Sequence, residues 1–376
     1  MIPATLHAST MSADFDTAKK LFLQGLDRYQ AGAFADAEVS FAASLALVPG
    51  RVSTLTNLGA ARLKQGKPAE ALHPLEQALA QEPDNLDACG HRATALAELG
   101  RHEEALRGVE HALRLDATGG HAWSLRGRLL KELGRTGEAS AAFETAIGYG
   151  ADPELNRYFL AALSGRDSPA APPRDYVEPL FDGYADQFDE HLRALNYRAP
   201  RVLADKLVAM KRRFASALDL GCGTGLCGPS LKPLAERLVG VDLSARMLAG
   251  AQALGLYDAL VQDDLAHHLG TTGDRHDLVL AADVFIYVGA LEQVFDGVAR
   301  VISSGGVFCF SIEEAAESHG HQDFALQASL RYAHTECYIR DLAAHHGLTV
   351  EHCLRAPIRD DRGAPVAGRY FWLLKL

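Results

Sequence analysis

The sequence predicts two folded parts, an all-helical repeat array followed by an α/β domain with a mainly parallel sheet. Two observations lead to this fold class. Glycine recurs every 34 residues in the first part of the chain, at positions 32, 66, 100 and 134. In the second part, the apolar segment 217–220 runs into glycines at 221, 223 and 225, and a second apolar segment ends at Asp242. A glycine turn between two strands, the second ending in a carboxylate, is typical of open α/β sheets.

The repeat in the first part extends beyond its glycines. Alanine recurs with the same step at 37, 71, 105 and 139, and small residues stand at 25, 59, 93 and 127. Small residues let neighbouring helices approach closely, and Pro49 and Pro83 end the second helix of a pair. A 34-residue period of this kind is the tetratricopeptide signature. We therefore predict an all-α solenoid of four repeats plus a capping helix over residues 18–164, after an N-terminal extension over 1–17.

Tetratricopeptide arrays usually bind peptides or proteins on their concave face. Here that face would include Phe22, Tyr29, Lys64 and Arg128. The set of lysines and asparagines that clamps chaperone tails cannot be assembled from the first three repeats, which weighs against a chaperone partner. A protein partner and a homodimer formed through the array are both open.

Composition narrows the classes of partner and compartment. The formal net charge of −11 argues against sequence-independent binding to nucleic acid, which depends on neutralising phosphates. Six cysteines form no C-x-x-C pair, and no apolar run approaches the ~18 residues of a membrane span. We expect a cytoplasmic protein with neither a nucleic acid nor a membrane as partner.

A proline-rich segment over 165–174 is predicted to be a linker, which leaves 175–376 as the second domain. Within it, Gly221 and Gly223 fit a nucleotide-binding turn, but position 226 is Leu and the third glycine falls at 225. A dinucleotide site requires G-x-G-x-x-G. The spacing therefore disfavours a nicotinamide oxidoreductase, while Asp242 can still accept hydrogen bonds from a ribose.

The G-x-G-x-G run after Asp219 resembles motif I of the Rossmann-like, class I S-adenosylmethionine-dependent methyltransferases. The segments 261–265, 277–283 and 305–312 match that family's next strands in order, and 349–358 with 368–376 match its closing hairpin. The resemblance implies a mixed seven-stranded sheet with an antiparallel C-terminal hairpin. It also implies the cofactor S-adenosyl-L-methionine, with S-adenosyl-L-homocysteine as product. As a whole, the chain resembles predicted bacterial methyltransferases with N-terminal tetratricopeptide repeats.

The resemblance also implies the residues that bind the cofactor. Asp242 corresponds to the ribose acid and Asp264 to the adenine acid, although Asp263 could take that second role after a one-residue shift. Tyr184 corresponds to an aromatic residue of a lid, and Cys222 is a small filler of the glycine loop. The full set of expected cofactor residues is Tyr184, Asp219, Gly221, Cys222, Gly223, Gly225, Asp242, Leu243, Met247, Asp263, Asp264, Leu265 and Asp283.

The catalytic residues are predicted from their chemistry and position. A hydroxyl acceptor would need a base, for which His334, at the start of a predicted helix, is the first candidate and Glu313 the second. Tyr287 and Tyr338 are expected to position the acceptor. The acidic and histidine-containing stretch from Glu313 to Asp323 is expected to be a solvated loop, and no metal is predicted.

The acceptor is expected to be a small molecule, methylated on a hydroxyl or carboxylate oxygen. The lid-like segment 181–189 favours this class, and Asp283 lacks the following Pro-Pro found in nucleobase and amide methylators. Two alternatives stay open. One is a protein or carrier-bound acceptor recruited by the repeats, and the other is a tetratricopeptide adaptor with a vestigial methyltransferase fold.

Overall fold

The computed structural model describes residues 4–315, 323–361 and 363–376, with side chains from residue 13 onward except that of residue 175. The chain divides into two compact units, Met1–Leu160 and Ala161–Leu376. Among the described residues, no helix is long and apolar enough to cross a membrane.

The first unit consists of paired antiparallel helices. The first begins at Ala4, so a helix runs through most of the segment expected to be an extension. The helices are α1 (Ala4–Gln30), α2 (Phe34–Leu47), α3 (Val52–Lys64), α4 (Pro68–Gln81), α5 (Leu86–Glu98), α6 (His102–Leu115), α7 (Gly120–Glu132), α8 (Thr136–Gly148) and α9 (Pro153–Ser164), whose last residues belong to the second unit.

Glycine at two positions of the repeat explains the geometry of these pairs. The turn glycines, such as Gly32 and Gly66, have φ of 77° and 71°, a left-handed conformation that other residues rarely adopt. Between the paired helices, a Cβ on Gly25 would lie 2.5 Å from the ring of Phe41. The small residue and the large one facing it therefore let the two helices pack without a gap, as the 34-residue period predicts.

The second unit is a sheet covered by helices. Its helices are α10 (Arg174–Tyr184), α11 (Phe188–Ala194), α12 (Ala199–Ala209), α13 (Gly228–Leu231), α14 (Ala245–Ala253), α15 (Leu265–Thr271), α16 (Glu292–Val301) and α17 (Glu336–His345). Its strands are β1 (Phe214–Leu220), β2 (Ala235–Asp242), β3 (Ala259–Gln262), β4 (His276–Ala281), β5 (Ile302–Glu314), β6 (Phe324–Leu326), β7 (Tyr332–His334), β8 (Leu348–Arg355), β9 (Asp360–Asp361), β10 (Ala364–Pro365) and β11 (Gly368–Lys375).

The main sheet has the order β3-β2-β1-β4-β5-β11-β8. The first five strands are parallel, while β11 pairs antiparallel with both β5 and β8. This confirms the predicted mixed sheet with its antiparallel C-terminal hairpin. Two short strands, β6 and β7, also join the end of β5, so the described residues form nine strands in this sheet instead of the predicted seven.

The order of the strands reverses between β1 and β4, because β2 and β3 lie on one side of β1 and β4 and β5 on the other. Ligands bind in open α/β sheets at the carboxyl edge of such a switch point. The residues that follow β1, β2, β3 and β4 therefore meet at one edge, where the glycine loop and the acids predicted from the sequence lie.

Two segments near this edge differ from the sequence-based expectation. The predicted helix over 331–338 is wrong for its first part, because Tyr332–His334 form β7 and α17 begins at Glu336. The proline-rich segment 165–174 packs against the sheet domain. Its Ala170 carbonyl accepts a hydrogen bond from the Ala290 N–H at 2.8 Å, and its Ser168 hydroxyl accepts one from the Leu326 N–H at 2.8 Å.

Candidate active site

A cavity of about 690 Å³ lies at the carboxyl edge of the sheet. Its volume is within the range of sites that bind small molecules and cofactors. Ten of the thirteen residues expected to bind the cofactor line it, namely Tyr184, Gly221, Gly223, Asp242, Leu243, Met247, Asp263, Asp264, Leu265 and Asp283.

The glycine loop after β1 forms one wall of the cavity. Gly221 and Gly223 have φ of 62° and 54°. A Cβ on Gly221 would lie 2.6 Å from Val284, so a side chain there would collide with its neighbour. A Cβ on Gly223 would meet only Phe188, at 3.6 Å, and Phe188 itself lines the cavity. The second glycine therefore keeps open the space that a ligand would fill.

Asp242 ends β2 and faces the same space. Its Oδ2 accepts a hydrogen bond from the Gly223 N–H at 2.8 Å, and its Oδ1 accepts one from the Ser244 N–H at 2.9 Å. Burial raises the pKa of Asp242, and these N–H groups act in the opposite direction. The carboxylate is thus fixed by the backbone, while its remaining lone pairs can accept hydrogen bonds from a diol.

Asp263 and Asp264 follow β3 and both line the cavity. The Oδ1 of Asp264 caps α15 by accepting hydrogen bonds from the N–H groups of Ala266 and His267. The Oδ1 of Asp263 accepts one from the Asp264 N–H at 2.8 Å and also lies 2.8 Å from Nδ1 of His267. Both acids are therefore placed at the part of the cavity where an adenine would be contacted.

Aromatic rings from α10 and α11 cover the glycine loop. Tyr184 packs edge-on against Phe188 with ring centroids 5.6 Å apart, and Phe181 packs against Tyr287 at 4.9 Å. All four rings line the cavity. A hydrogen bond from Thr224 Oγ1 to Asp189 joins the glycine loop to α11. These contacts form a cover that would limit the access of water.

Three residues of the expected cofactor set lie beneath the cavity lining. Gly225 packs against Leu254 and Tyr257, Cys222 is buried beside Gly240, and Asp219 is 1% exposed. The Tyr257 hydroxyl donates a hydrogen bond to Asp219 Oδ2 at 2.7 Å. Burial raises the pKa of Asp219 to about 7, against the effect of this hydrogen bond. Their location indicates that they support the glycine loop from below.

We expect the substitution Asp219→Asn to change how stability depends on pH. A raised pKa means that the folded state binds the proton more tightly than the unfolded state, so stability falls as pH rises from about 4 to about 7. A difference of this size is worth about 4 kcal/mol at most. The asparagine amide keeps an acceptor for Tyr257 but does not titrate, and should remove this decline. Urea unfolding followed by the fluorescence of Trp372, in a Trp123→Phe background, measures it.

Asp205→Asn is the matched control, because its side chain is 72% exposed on α12. The control should keep the wild-type decline with pH. If Asp219→Asn and the wild type show parallel pH profiles, Asp219 does not titrate in the expected range.

A buried triad of charges lies where β4 and β5 end. The Arg359 guanidinium, 1% exposed, donates to Asp283 Oδ2 at 2.6 Å and to Glu313. Burial raises the pKa of Glu313, and the charge of Arg359 opposes this. Asp283 has a φ of 58°, and its Oδ1 is buried with no hydrogen-bond partner among the described residues. Since Asp283 lines the cavity, this oxygen is placed to accept a hydrogen bond from a ligand.

The expectation that His334 acts as a general base is not supported by its surroundings. The side chain is fully buried at the end of β7 and is absent from the cavity lining. Its Nε2 lies 2.9 Å from the Gly289 carbonyl, and burial lowers the pKa to about 4. Tyr338 is buried beside it, and its hydroxyl accepts a hydrogen bond from the Leu291 N–H. Both residues fill the protein interior, and Glu313, which is paired with Arg359, does not itself line the cavity.

Tyr287 is the one proposed catalytic residue that lines the cavity. Burial raises the pKa of Tyr287, while the charge of Arg331 and a hydrogen bond from its guanidinium act in the opposite direction. Arg331 also lines the cavity, as do Arg359, His191 and the segment 170–172. Sequence analysis missed these residues, because each reaches the cavity through contacts between segments that are distant in sequence.

The described residues contain no cluster of three or more side chains that could hold a metal ion. Of the acidic stretch weighed as a metal site, Glu317, His319 and His321 lie outside the described residues.

The lining fits S-adenosylmethionine. Asp242 can hold a ribose, and Met247 and Leu265 supply apolar walls for a base. The space that a Cβ on Gly223 would occupy, and the unpartnered Oδ1 of Asp283, provide room and a hydrogen-bond acceptor for an amino-acid moiety. When bound, this cofactor supplies a methyl group activated by a sulfonium.

Comparisons with known proteins find similarity in both parts of the chain. Residues 218–310 match the family described as "Methyltransferase domain", and residues 62–129 and 120–149 match tetratricopeptide repeat families. Methyltransferase-like protein 27 of Homo sapiens is 32% identical over 168 residues, which make up 40% of this chain and 63% of that protein.

Two further proteins are similar to this chain. The Malonyl-[acyl-carrier protein] O-methyltransferase of Enterobacter lignolyticus (strain SCF1) is 30% identical over 135 residues, 36% of this chain and 52% of that protein. An S-adenosylmethionine-dependent methyltransferase structure from Clostridium acetobutylicum ATCC 824 has a TM-score of 0.41 at 19% identity, over 52% of this chain and 98% of that one. The chain spans between about half and just under two thirds of these curated relatives' length. The chain thus matches family models for tetratricopeptide repeats in its first part and for a methyltransferase domain in its second.

Proposed function

We propose that this protein transfers the methyl group of S-adenosylmethionine to a carboxylate oxygen of a small-molecule acceptor, forming a methyl ester. The observation that carries this proposal is the location of the predicted bases. His334 is buried behind Gly289, and Glu313 is held by Arg359, so neither is placed to take a proton from an acceptor in the cavity.

A carboxylate acceptor needs no base, because it is already ionised near neutral pH. One of its oxygens forms a bond to the methyl carbon as the carbon–sulfur bond breaks, and the electron pair of that bond stays on sulfur. The protein then has to align the two groups and exclude water. The aromatic rings of Phe181, Tyr184 and Phe188 above the glycine loop are suited to that exclusion.

The similarity to a malonyl-[acyl-carrier protein] O-methyltransferase supports an oxygen acceptor. A hydroxyl acceptor is the second candidate, and the exposed His191 is the observation that favours it. His191 lines the cavity and packs against Tyr184 with ring centroids 5.3 Å apart, so it could serve as the base that His334 does not provide.

We expect the transferred methyl to be labile in alkali. The full-length protein is incubated with S-adenosylmethionine labelled in its methyl group and a cell extract fractionated by size. Label should enter the small-molecule fraction, and mild alkali should release it as volatile methanol, because esters hydrolyse under conditions that leave ethers and methylamines intact. Asp242→Ala, expected to lose the cofactor, gives the background.

Other outcomes select the alternatives. Alkali-stable label in small molecules would contradict a carboxylate acceptor and favour a hydroxyl methylated with the help of His191. Label confined to macromolecules would favour an acceptor recruited by the repeats. Failure to bind S-adenosylhomocysteine at millimolar concentration would favour the adaptor with a vestigial fold.

A further inference from the structure

Arg331 lies on the cavity wall, at the junction between the β6–β7 turn and β7. Its side chain is 25% exposed, and among the described residues its only ion pair is with Asp361 at 3.9 Å, a carboxylate that is itself 45% exposed. This separation is at the limit for an ion pair, and such partly exposed pairs contribute little. The positive charge of Arg331 is therefore only weakly compensated within the protein, and the guanidinium can bind an anion.

Two other charged groups on the cavity wall, Arg359 and Glu292, already have partners. Arg359 is held by two buried carboxylates, Asp283 and Glu313. Glu292, on the cavity wall, interacts with the Tyr338 hydroxyl. Arg174 lines the cavity as an exposed residue at the start of α10. Of the three lining arginines, Arg331 is thus the partly buried one without a close carboxylate.

The backbone beneath Arg331 is rigidly supported. Its carbonyl accepts a hydrogen bond from the Gln327 N–H at 2.8 Å, which closes the turn between β6 and β7. Ser168 of the proline-rich segment accepts a hydrogen bond from the Leu326 N–H and holds the same turn from the other side. Because the backbone that carries the Arg331 side chain is already fixed, less conformational entropy is lost when the guanidinium binds an anion.

Tyr287 completes the arrangement. Its ring is fixed by Phe181 at 4.9 Å, and the positive charge of Arg331 acts to lower the pKa of its hydroxyl. A guanidinium has five N–H donors, so an interaction with one hydroxyl leaves other donors for an anion. A carboxylate bound to the remaining donors through one oxygen would keep the other oxygen free for methyl transfer.

We propose that Arg331 and Tyr287 form the anion-binding subsite for the acceptor and select a carboxylate over its neutral isosteres. This assignment rests on the proposed function for the identity of the acceptor, but it predicts binding that can be measured without turnover. Arg331 is a specificity-determining residue in this arrangement, and Tyr287 positions it.

The test compares acids with neutral analogues of the same shape. Butyrate, hexanoate and octanoate, and the corresponding primary amides, are titrated into full-length protein saturated with S-adenosylhomocysteine, and binding is followed by ligand-observed NMR. At least one acid should bind about tenfold or more tightly than its amide. Arg331→Gln should abolish that preference. Arg331→Lys should retain part of it, because lysine keeps the positive charge but lacks the planar set of N–H donors of a guanidinium.

Arg340→Gln is the matched control, because Arg340 is an exposed arginine on α17 paired with Glu336 outside the cavity. The control should keep the wild-type preference. Arg331→Gln should also bind S-adenosylhomocysteine as the wild type does, which would show that the cofactor-binding part of the cavity is correctly folded in the variant. Reduced S-adenosylhomocysteine affinity in Arg331→Gln would mean that Arg331 binds the cofactor's own carboxylate, and would overturn the proposal.

Equal binding of acids and amides to the wild type, no binding of any acid, or an acid preference that survives in Arg331→Gln would each overturn it as well. These failures are distinguishable from failure of the proposed function. Alkali-stable methyl label would refute ester formation while leaving an acid preference at Arg331 intact. Alkali-labile label without that preference would support ester formation and refute the role of Arg331.

Discussion

Replacing Asp242 with alanine should remove most of the protein's affinity for S-adenosylhomocysteine. The carboxylate can accept two charge-assisted hydrogen bonds from a ribose, and each is worth about 1.5–3 kcal/mol. It also receives the N–H groups of Gly223 and Ser244, so its loss would free the glycine loop from the end of β2. We expect a loss of affinity of about a hundredfold or more, measured by isothermal titration calorimetry.

Asp258→Ala is the matched control for this change. Asp258 also accepts a backbone N–H of β2, that of Leu238 at 2.7 Å, but it does not line the cavity. The control removes a similar contact between carboxylate and backbone and should leave the affinity for S-adenosylhomocysteine near that of the wild type. Wild-type affinity in Asp242→Ala would show that the cofactor pocket is elsewhere, and equal losses in both variants would show that the effect is structural.

Asp242 also illustrates which part of the site can be predicted from a sequence. The strand, the glycine loop and the acid at the end of the next strand follow one another within about 30 residues, and their spacing alone brings them to one edge of a parallel sheet. The helical repeats are predictable for a similar reason. Each contact between a small residue and a large one, such as Gly25 with Phe41, joins neighbouring helices of one repeat.

The acceptor side depends on contacts that no local pattern specifies. The imidazole of His334 makes it a candidate base by residue type. However, β7 pairs with the end of β5, and this pairing places the His334 ring in the protein interior. Arg359 follows β8 in a polar segment that would be taken for a surface turn. Its guanidinium is buried because Glu313, 46 residues earlier, and Asp283 both receive it. The burial of His334 and Arg359 could not be predicted from the sequence, because it depends on contacts between segments that are distant along the chain.

Arg359→Met should strongly destabilise the second unit, Ala161–Leu376. Removing one member of a buried charge group leaves its partners without compensation, which typically costs about 3–5 kcal/mol. Here the buried carboxylate of Glu313 and that of Asp283, which is 10% exposed, would lose their shared cation. Trp372 is buried in β11, beside β5, so its fluorescence reports unfolding of this unit once Trp123 in α7 is replaced by Phe. Urea titration in that background gives the free energy of unfolding.

Arg355→Met is the control, because Arg355 pairs with Glu314 but is 68% exposed. Exposed ion pairs contribute about 0–1 kcal/mol, so the control should unfold nearly as the wild type does. A second substitution, Glu313→Gln, should restore part of the stability of Arg359→Met, because a neutral amide replaces an unpaired carboxylate. A loss in Arg359→Met no larger than that in the control would show that the triad does not support the fold.

The destabilisation should also depend on pH, in a direction set by Glu313. Burial already raises the pKa of Glu313 while Arg359 opposes the increase, so removing the arginine raises that pKa further. The folded variant then holds the Glu313 proton more tightly than its unfolded chain, and its stability falls as pH rises above about 4.5, the ordinary value of the carboxyl group. Arg359→Met should therefore lose less stability, relative to the wild type, at about pH 5 than at about pH 8. An equal loss at the two pH values would mean that the cost arises from lost packing around the arginine and not from the two uncompensated carboxylates.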